Sequence, residues 1–538
     1  MSRLSLSRRD VLAQLAALAA SAFPFAGGIA GLRYGASGTD PLDGTVADYV
    51  AGLRGYQWTA AEVTARAIER CRTDGTAWRA IDVLSTTAIA DANAADQRAR
   101  ARNMRGPLDG VPVFAKAIYD MKGLPTTASN AEWARLFPDL IHRDAAEVAR
   151  MRAAGAIVLG KTAADDFAYR GVGTSSHTGQ VRNPYDPTGT RTPGGSSAGS
   201  AVAVAGSLAF AALGTDDGGS NRIPAVCVGI VGMKPTFGLV PRTGVIPTWP
   251  YLDTHGPLAR SVADAALLLA AIAGADPFDP LSHGRGTQDG RRYELLRDDA
   301  LNRVRLGVVE AHVPRDKMTP EAVDVWDRAL ADLRAAGALV EPFLPPVTLA
   351  NYRNAFTDAE KVRGDVKGDS RSPGATANAL YRYFAGRSDN PIEAVRRGYD
   401  AYRSFYDVLP KQFEDCVSLL QKPLEHDDPG HSFARSRSAV VAALGRSMKA
   451  AGVAAMVYPT MPFNAFRLAD GWPDVRTALG YGNWLGLPEV SVPSGLGADG
   501  LPALSLSVVG LPGQDASVLA FAHAYERQSR RFVPPPRA

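Results

Sequence analysis

Cysteine is almost absent from this chain: Cys71, Cys227 and Cys416 are the three in 538 residues, and none forms a CxxC pair. That excludes a disulfide-built scaffold and a cysteine zinc site, leaving small buried apolar side chains, with a single bridge still open in an oxidising compartment. A surplus of either charge is also missing, since 59 Lys and Arg face 55 Asp and Glu. Without a basic run there is no nucleic-acid groove to expect, and a small or neutral partner fits better. Internal repeats and heptads are lacking, so solenoids and coiled coils drop out. What is present is an ordinary globular composition, 46% hydrophobic and 21% charged, long enough for one large domain or two.

The N-terminus differs from the rest. Ser7-Arg8-Arg9-Asp10-Val11-Leu12 precedes the alanine-rich run Val11–Ala22, which is too short for a comfortable membrane span. A charged start, a short apolar centre and later small residues resemble a twin-arginine export signal over residues 1–30, cleaved between Ala22 and Gly31. This predicts a periplasmic or secreted mature protein without stable membrane association. Its charge would be nearer neutral once Arg3, Arg8 and Arg9 are removed.

Further on, helical and strand-like patterns alternate. Apolar spacing predicts helices over 59–74, 87–104 and 145–154, with buried strands over 111–115 and 156–159. Such alternation implies an α/β fold, a mixed, largely parallel sheet covered by helices on both faces. A small-residue helix is predicted over 200–213, and another over 262–273 with Asp264 facing out and the leucines in. From about 276 to 428 the pattern is less regular, with helices predicted at 320–336, 375–384 and 392–408; an insertion there would cap a substrate site. Strands at 453–458, 490–492 and 504–509 and a helix at 517–528 close a domain spanning 45–538.

The chemistry gathers in polar, glycine-rich loops. Pro193-Gly194-Gly195-Ser196-Ser197-Ala198-Gly199-Ser200 and Gly214-Thr215-Asp216-Asp217-Gly218-Gly219-Ser220 bracket the small-residue segment, with Ser196 and Ser220 24 residues apart. No histidine lies in or just before the second loop, so a hydroxyl there needs another base. A lysine serves when burial disfavours its ammonium, and Lys116 ends the apolar run Val111–Ala115. Consecutive glycine amides can converge on a developing oxyanion, which points to the backbones of Asp217, Gly218, Gly219 and Ser220. The Asp217 side chain would then turn away to cap a neighbouring loop, while Arg222 could hold Asp216 or Asp217. His255, in Thr254-His255-Gly256-Pro257, reads as structural.

Lys116, Ser196 and Ser220 together resemble the Ser-Ser-Lys triad of the amidase signature family. The likeness extends over Gly106–Pro112, Arg182–Pro187, Gly232–Thr236, Gly256–Asp264, Pro459–Pro462 and Gly486–Pro493. It implies that Ser220 attacks an amide carbonyl, Ser196 relays the proton to Lys116, and the Gly195–Ser196 peptide is cis. No metal or organic cofactor is implied. Ala117, Tyr119 and Ala198 depart from the family pattern near the lysine and the first loop.

Substrate is the thinner part of the reading. Trp249 and Tyr251, with Tyr352, Phe356, Tyr381, Tyr383 and Phe384 from the insertion, could form an apolar acyl pocket. Aryl or apolar amides, anilides and peptide amides would fit it, with a homodimer as one arrangement. Two alternatives stand beside this one: a glutamine-amidotransferase A-type subunit, and a non-catalytic periplasmic binding protein on the same scaffold.

Overall fold

A computed structural model describes residues 40–249, 251–282, 292, 296–352, 380–385, 387–406, 432–475 and 477–536. The expected signal, Cys416 and Phe356 lie outside the described residues. Eleven strands form one sheet: β1 (Ile81–Leu84), β2 (Pro112–Lys116), β3 (Ile157–Thr162), β6 (Ala211–Asp216), β7 (Val231–Lys234), β8 (Thr254–Ala259), β9 (Arg305–Val308), β10 (Leu339–Pro342), β11 (Ala455–Pro459), β12 (Glu489–Pro493) and β13 (Ser505–Val509). A separate small hairpin pairs β4 (Thr174–Ser175) with β5 (Gly179–Gln180). The order across the large sheet is β1-β3-β2-β6-β8-β7-β12-β13-β11-β9-β10.

The sheet is mixed, with its parallel neighbours gathered in two blocks: β3-β2-β6 on one side and β11-β9-β10 on the other. Antiparallel pairs through β8, β7, β12 and β13 join the blocks, so the antiparallel share exceeds what the helix–strand alternation implies. Every residue of β2, β3 and β6 is buried, as expected when helices cover both faces. The aliphatic side chains of these strands join those of helices Ala146–Ala153, Ala198–Ala205 and Val262–Ile272 in one continuous core.

The small-residue helix is shorter than the sequence implies. It runs Ala198–Ala205 and stops at Gly206, where Ser207 takes φ +56° and turns the chain into β6. Alanine-rich segments carry little periodicity, so a buried strand such as Ala211–Asp216 is hard to tell from a continuing helix. Close approach explains the composition: a Cβ at Gly199 would stand 2.3 Å from Ala80 O and 2.5 Å from Ala163 O. The helix thereby lies flat against the sheet and delivers Ser196, just before it, to the C-terminal ends of β2 and β6.

Two other expectations change. Asp264 does not face out: it is buried on the helix Val262–Ile272 and accepts a hydrogen bond from Val46 N at 3.0 Å. Burial pushes its carboxyl up to about 6. It sits in the first turn of that helix, where an acceptor reaches a neighbouring segment that periodicity alone does not reveal. Within the expected cap, residues 305–308 and 339–342 instead extend the sheet as β9 and β10, and the helix Pro320–Ala335 packs on the closing helix Asp515–Ser529.

Candidate active site

Parallel pairing of β2 with β6, Val113 to Ala211 and Phe114 to Ala212, brings Lys116 alongside Thr215 at the strand ends. Lys116 Nζ lies 2.7 Å from Ser196 Oγ and 2.8 Å from Thr215 Oγ1, with no exposed surface. Burial pulls the ammonium down to about 8, against the opposing charges of Asp217, Asp165, Asp253 and Asp216. Tyr119, one of the departures from the family pattern, closes the same strand ends by donating its hydroxyl to Gly214 O at 3.0 Å.

The Gly195–Ser196 peptide is cis. Its surroundings leave no room for a side chain before the serine, because a Cβ at Gly195 would meet Asp165 Oδ2 at 2.5 Å. Asp165 in turn accepts from Gly171 N, Val172 N and Thr174 N, which fixes the loop beside the bond. Burial still pushes its carboxyl up to about 7.

Ser220 sits one loop away. Its carbonyl accepts from Ser197 N at 3.2 Å, so the two serine loops are joined through backbone, while Ser220 Oγ makes no hydrogen bond with Ser196 among the described residues. Ser197 Oγ adds bonds to Thr215 O and Asn221 Oδ1, both at 3.2 Å. The oxyanion expectation needs one correction. Gly219 N already donates to Asp216 Oδ1 at 2.7 Å, a side-chain turn that glycine spacing does not disclose. Gly218 N and Ser220 N have no partner among the described residues, and a Cβ at Gly218 would meet nothing within 4 Å.

Asp216 is the organising carboxylate. Besides Gly219 N it accepts from Asn221 N, from Arg222 Nε and Nη2 at 2.9 Å each, and from Asn483 Nδ2 at 3.0 Å. Burial opposes its charge, but the Arg222 guanidinium outweighs that and holds the carboxyl at about 2. Of the two partners expected for Arg222, the structure selects Asp216. Arg222, itself fully buried, also reaches Leu479 O and Asn483 Oδ1, and its Nη1 stands 2.7 Å from Glu489 Oε2. Lys234 on β7 lies against the same group, its ammonium pulled down to about 7 by burial and by Arg222.

Trp249 N donates to Asp217 Oδ1 at 3.3 Å, so Trp249 borders the 217–220 loop and the Asp217 side chain does turn aside to a neighbouring loop. Tyr251 is buried in an apolar cluster with Tyr352, Tyr481 and Trp484, and Trp249 packs against the same cluster. Tyr383 donates to Asp120 Oδ1 at 3.1 Å, and Phe384 stacks on Trp133 and Phe137. His255 is structural: Glu147 Oε1 lies 2.5 Å from its Nδ1 and Asp253 Oδ1 3.4 Å from its Nε2. Burial disfavours its charge, yet the two carboxylates raise it to about 10. Cys71 and Cys227 are buried free thiols. Among the described residues no group of three His, Cys, Asp or Glu side chains is placed to hold a metal, and no helix is long and apolar enough to cross a membrane.

Sequence reasoning missed Thr215, Asp165 and Asn483. Thr215 stood inside the quoted loop, but its meeting with Lys116 depends on strand register. Nothing local marks Asn483, which arrives from 267 positions further along the chain than Asp216.

A buried lysine bonded to one serine, with a second serine on an adjoining loop whose backbone donors are unpaired among the described residues, is an arrangement that can activate a hydroxyl toward an amide. The chain belongs to the amidase signature family: the family model described as Amidase matches residues 62–519. It is 34% identical to the A-type subunit of glutamyl-tRNA(Gln) amidotransferase from Anaeromyxobacter sp. (strain K), over 90% of this chain and 96% of that one. The mitochondrial counterpart from Ixodes scapularis is 32% identical over 90% and 95% of the two chains. Among solved structures, native peptide amidase from Stenotrophomonas maltophilia superposes with TM-score 0.75 at 30% identity, covering 91% of this chain and 98% of that one. A bacterial aryl acylamidase, at 23% identity and TM-score 0.68, shares the fold.

Proposed function

We propose that this protein hydrolyses apolar carboxamides, among them aryl amides, anilides and peptide amides, through an acyl-enzyme on Ser220. The observation that carries the proposal is the buried Lys116 Nζ, 2.7 Å from Ser196 Oγ and kept near neutrality at about 8. Neutral Nζ accepts the Ser196 proton while donating to Thr215; Ser196 takes the proton of Ser220, and Ser220 Oγ bonds to the amide carbon. Closing that relay requires Ser220 Oγ to come within hydrogen-bond reach of Ser196 Oγ. Gly218 N and Ser220 N receive the carbonyl oxygen, a contribution of about 3 kcal/mol from a single donor in a dry site. As the C–N bond breaks, Ser196 protonates the leaving nitrogen and recovers its proton from Lys116. Water then adds to the ester, returning acid and free Ser220.

An apolar substrate is supported by what borders the donors: a Cβ at Gly219 would stand 2.9 Å from both Ile223 Cδ1 and Leu479 Cδ2. The second reading, an amidotransferase component acting on glutamine, is favoured by the names of the curated relatives. We also take residues 1–30 as a twin-arginine signal and the mature protein as periplasmic, away from charged tRNA; cell fractionation checks this. Ammonia or amine release from aryl, aliphatic and peptide amides, with glutamine alongside and Ser220→Ala as control, decides between the readings. Release from apolar amides, abolished in the variant, supports hydrolysis. Turnover of glutamine alone, together with co-purifying partner chains, supports the second reading, and activity surviving in Ser220→Ala removes the serine mechanism.

A further inference from the structure

An aromatic shelf lies close to the Gly195–Ser196 peptide. The Trp472 and Phe466 rings lie 4.9 Å apart, centroid to centroid, tilted by 49°, and Phe463 meets both edge-on at 6.3 and 6.2 Å. Trp472 keeps 40% of its surface exposed. Single exposed apolar residues are common and mean little by themselves. Here the position is informative. A Cβ placed on Gly171 would touch Trp472 Cζ2 at 3.1 Å, Ile223 Cδ1 at 3.6 Å and Gly195 O at 3.8 Å. Within one methyl's reach, therefore, lie the indole, the peptide that carries Ser196, and the isoleucine that borders Gly219.

The shelf is also strapped to the catalytic loop. Thr192 N donates to Phe466 O, and Arg191 Nη1 to Ala465 O, both at 3.0 Å. Pro193-Gly194-Gly195-Ser196 follows directly. Behind the shelf, Met461, Ala465, Ile223 and Leu479 form a small buried apolar cluster against which Phe463 packs. A partly exposed indole close to the peptide that carries Ser196, tied to that loop and backed by apolar side chains, has the properties of a stacking surface for a flat ring.

We propose that Trp472 is a specificity-determining residue: its indole stacks on the aromatic group of the amide substrate next to the scissile bond, with Phe463 and Phe466 fixing its angle. This rests on the amide-hydrolysis reading above. The test compares kcat/KM for an aryl amide and for a small aliphatic amide in the full-length mature protein, Trp472→Ala and Trp472→Phe. The ratio of aryl to aliphatic kcat/KM is expected to fall about tenfold in Trp472→Ala, through KM, and to recover in large part in Trp472→Phe. An unchanged ratio overturns the proposal, as does an equal loss on both substrates while Ser220 still reacts with a serine-directed phosphonate. Calorimetric binding of a benzamide to Ser220→Ala, with and without Trp472→Ala, answers the question even if the enzyme turns over neither amide. Weaker binding in the double variant upholds the stacking role while the hydrolysis reading fails, and equal binding removes it.

Discussion

Acylation of Ser220 should speed up about tenfold between pH 7 and pH 9. With Lys116 at about 8, roughly one molecule in eleven carries the neutral amine at pH 7 and about ten in eleven do at pH 9, and only the neutral amine can accept a proton. A lysine at its ordinary value near 10.5 would instead gain about a hundredfold over the same interval without levelling off. Burial sets the direction, since Nζ has no exposed surface and touches only hydroxyls. The assay is kcat/KM against pH for a neutral amide, or the rate of phosphonate labelling of Ser220, which avoids substrate titration. A single inflection near 8 with a plateau above it is expected. A flat profile from pH 7 to 9, or a rate still climbing tenfold per unit at pH 10, refutes Lys116 as the base in this environment. Stability carries the same signature. Because the folded value lies below the unfolded one, the folded chain binds fewer protons between about 8 and 10.5; the cost of burying this lysine is full below that window and is released as pH rises through it.

Thr215→Val keeps the shape of the side chain but removes an acceptor from Lys116 at 2.8 Å. The ammonium loses support, so the inflection should move to lower pH, with kcat/KM down about tenfold; an unmoved inflection argues against the contact. Arg222→Met leaves Asp216 and Glu489 buried without their cation and should lower unfolding stability by about 3–5 kcal/mol in urea titration, a loss below 1 kcal/mol contradicting it. Asp264→Ala strands Val46 N and should cost about 1–3 kcal/mol while phosphonate labelling of the folded protein keeps its rate. Stability equal to the parent protein would show that water takes the carboxylate's place.

The sequence carries the triad because two glycine-rich loops at a fixed separation and an apolar run ending in lysine are local patterns. It carries the strands and helices whose apolar spacing is clean, such as the helix Ala60–Arg70, where Thr59 and Glu62 form a capping box. It fails where local pattern and tertiary partner disagree. Ala211–Asp216 is chemically an extension of an alanine helix, and only its neighbours in the sheet make it a strand. Gly219 resembles a free donor until the Asp216 carboxylate is placed three residues before it. Trp472 belongs to no motif at all, and its nearness to Gly195 arises from the strap between residues 191–192 and 465–466. Of the expected pocket pair, the Trp249 backbone reaches the Asp217 carboxylate while Trp249 also packs against the apolar cluster that buries Tyr251, a placement that local spacing does not disclose.

The ties from Asp216 and Arg222 to Asn483 and Glu489 bear on how the protein is made. During synthesis Lys116, Ser196 and Ser220 leave the ribosome with more than half of the chain still to come. Until the stretch containing Asn483 and Glu489 has emerged and docked, Arg222 has no second carboxylate and the Asp216 turn lacks its amide, so the loop presenting Ser220 is not held. A nascent or truncated chain ending before residue 483 thus contains all three of those residues and lacks the distant ties that complete the Asp216 and Arg222 group.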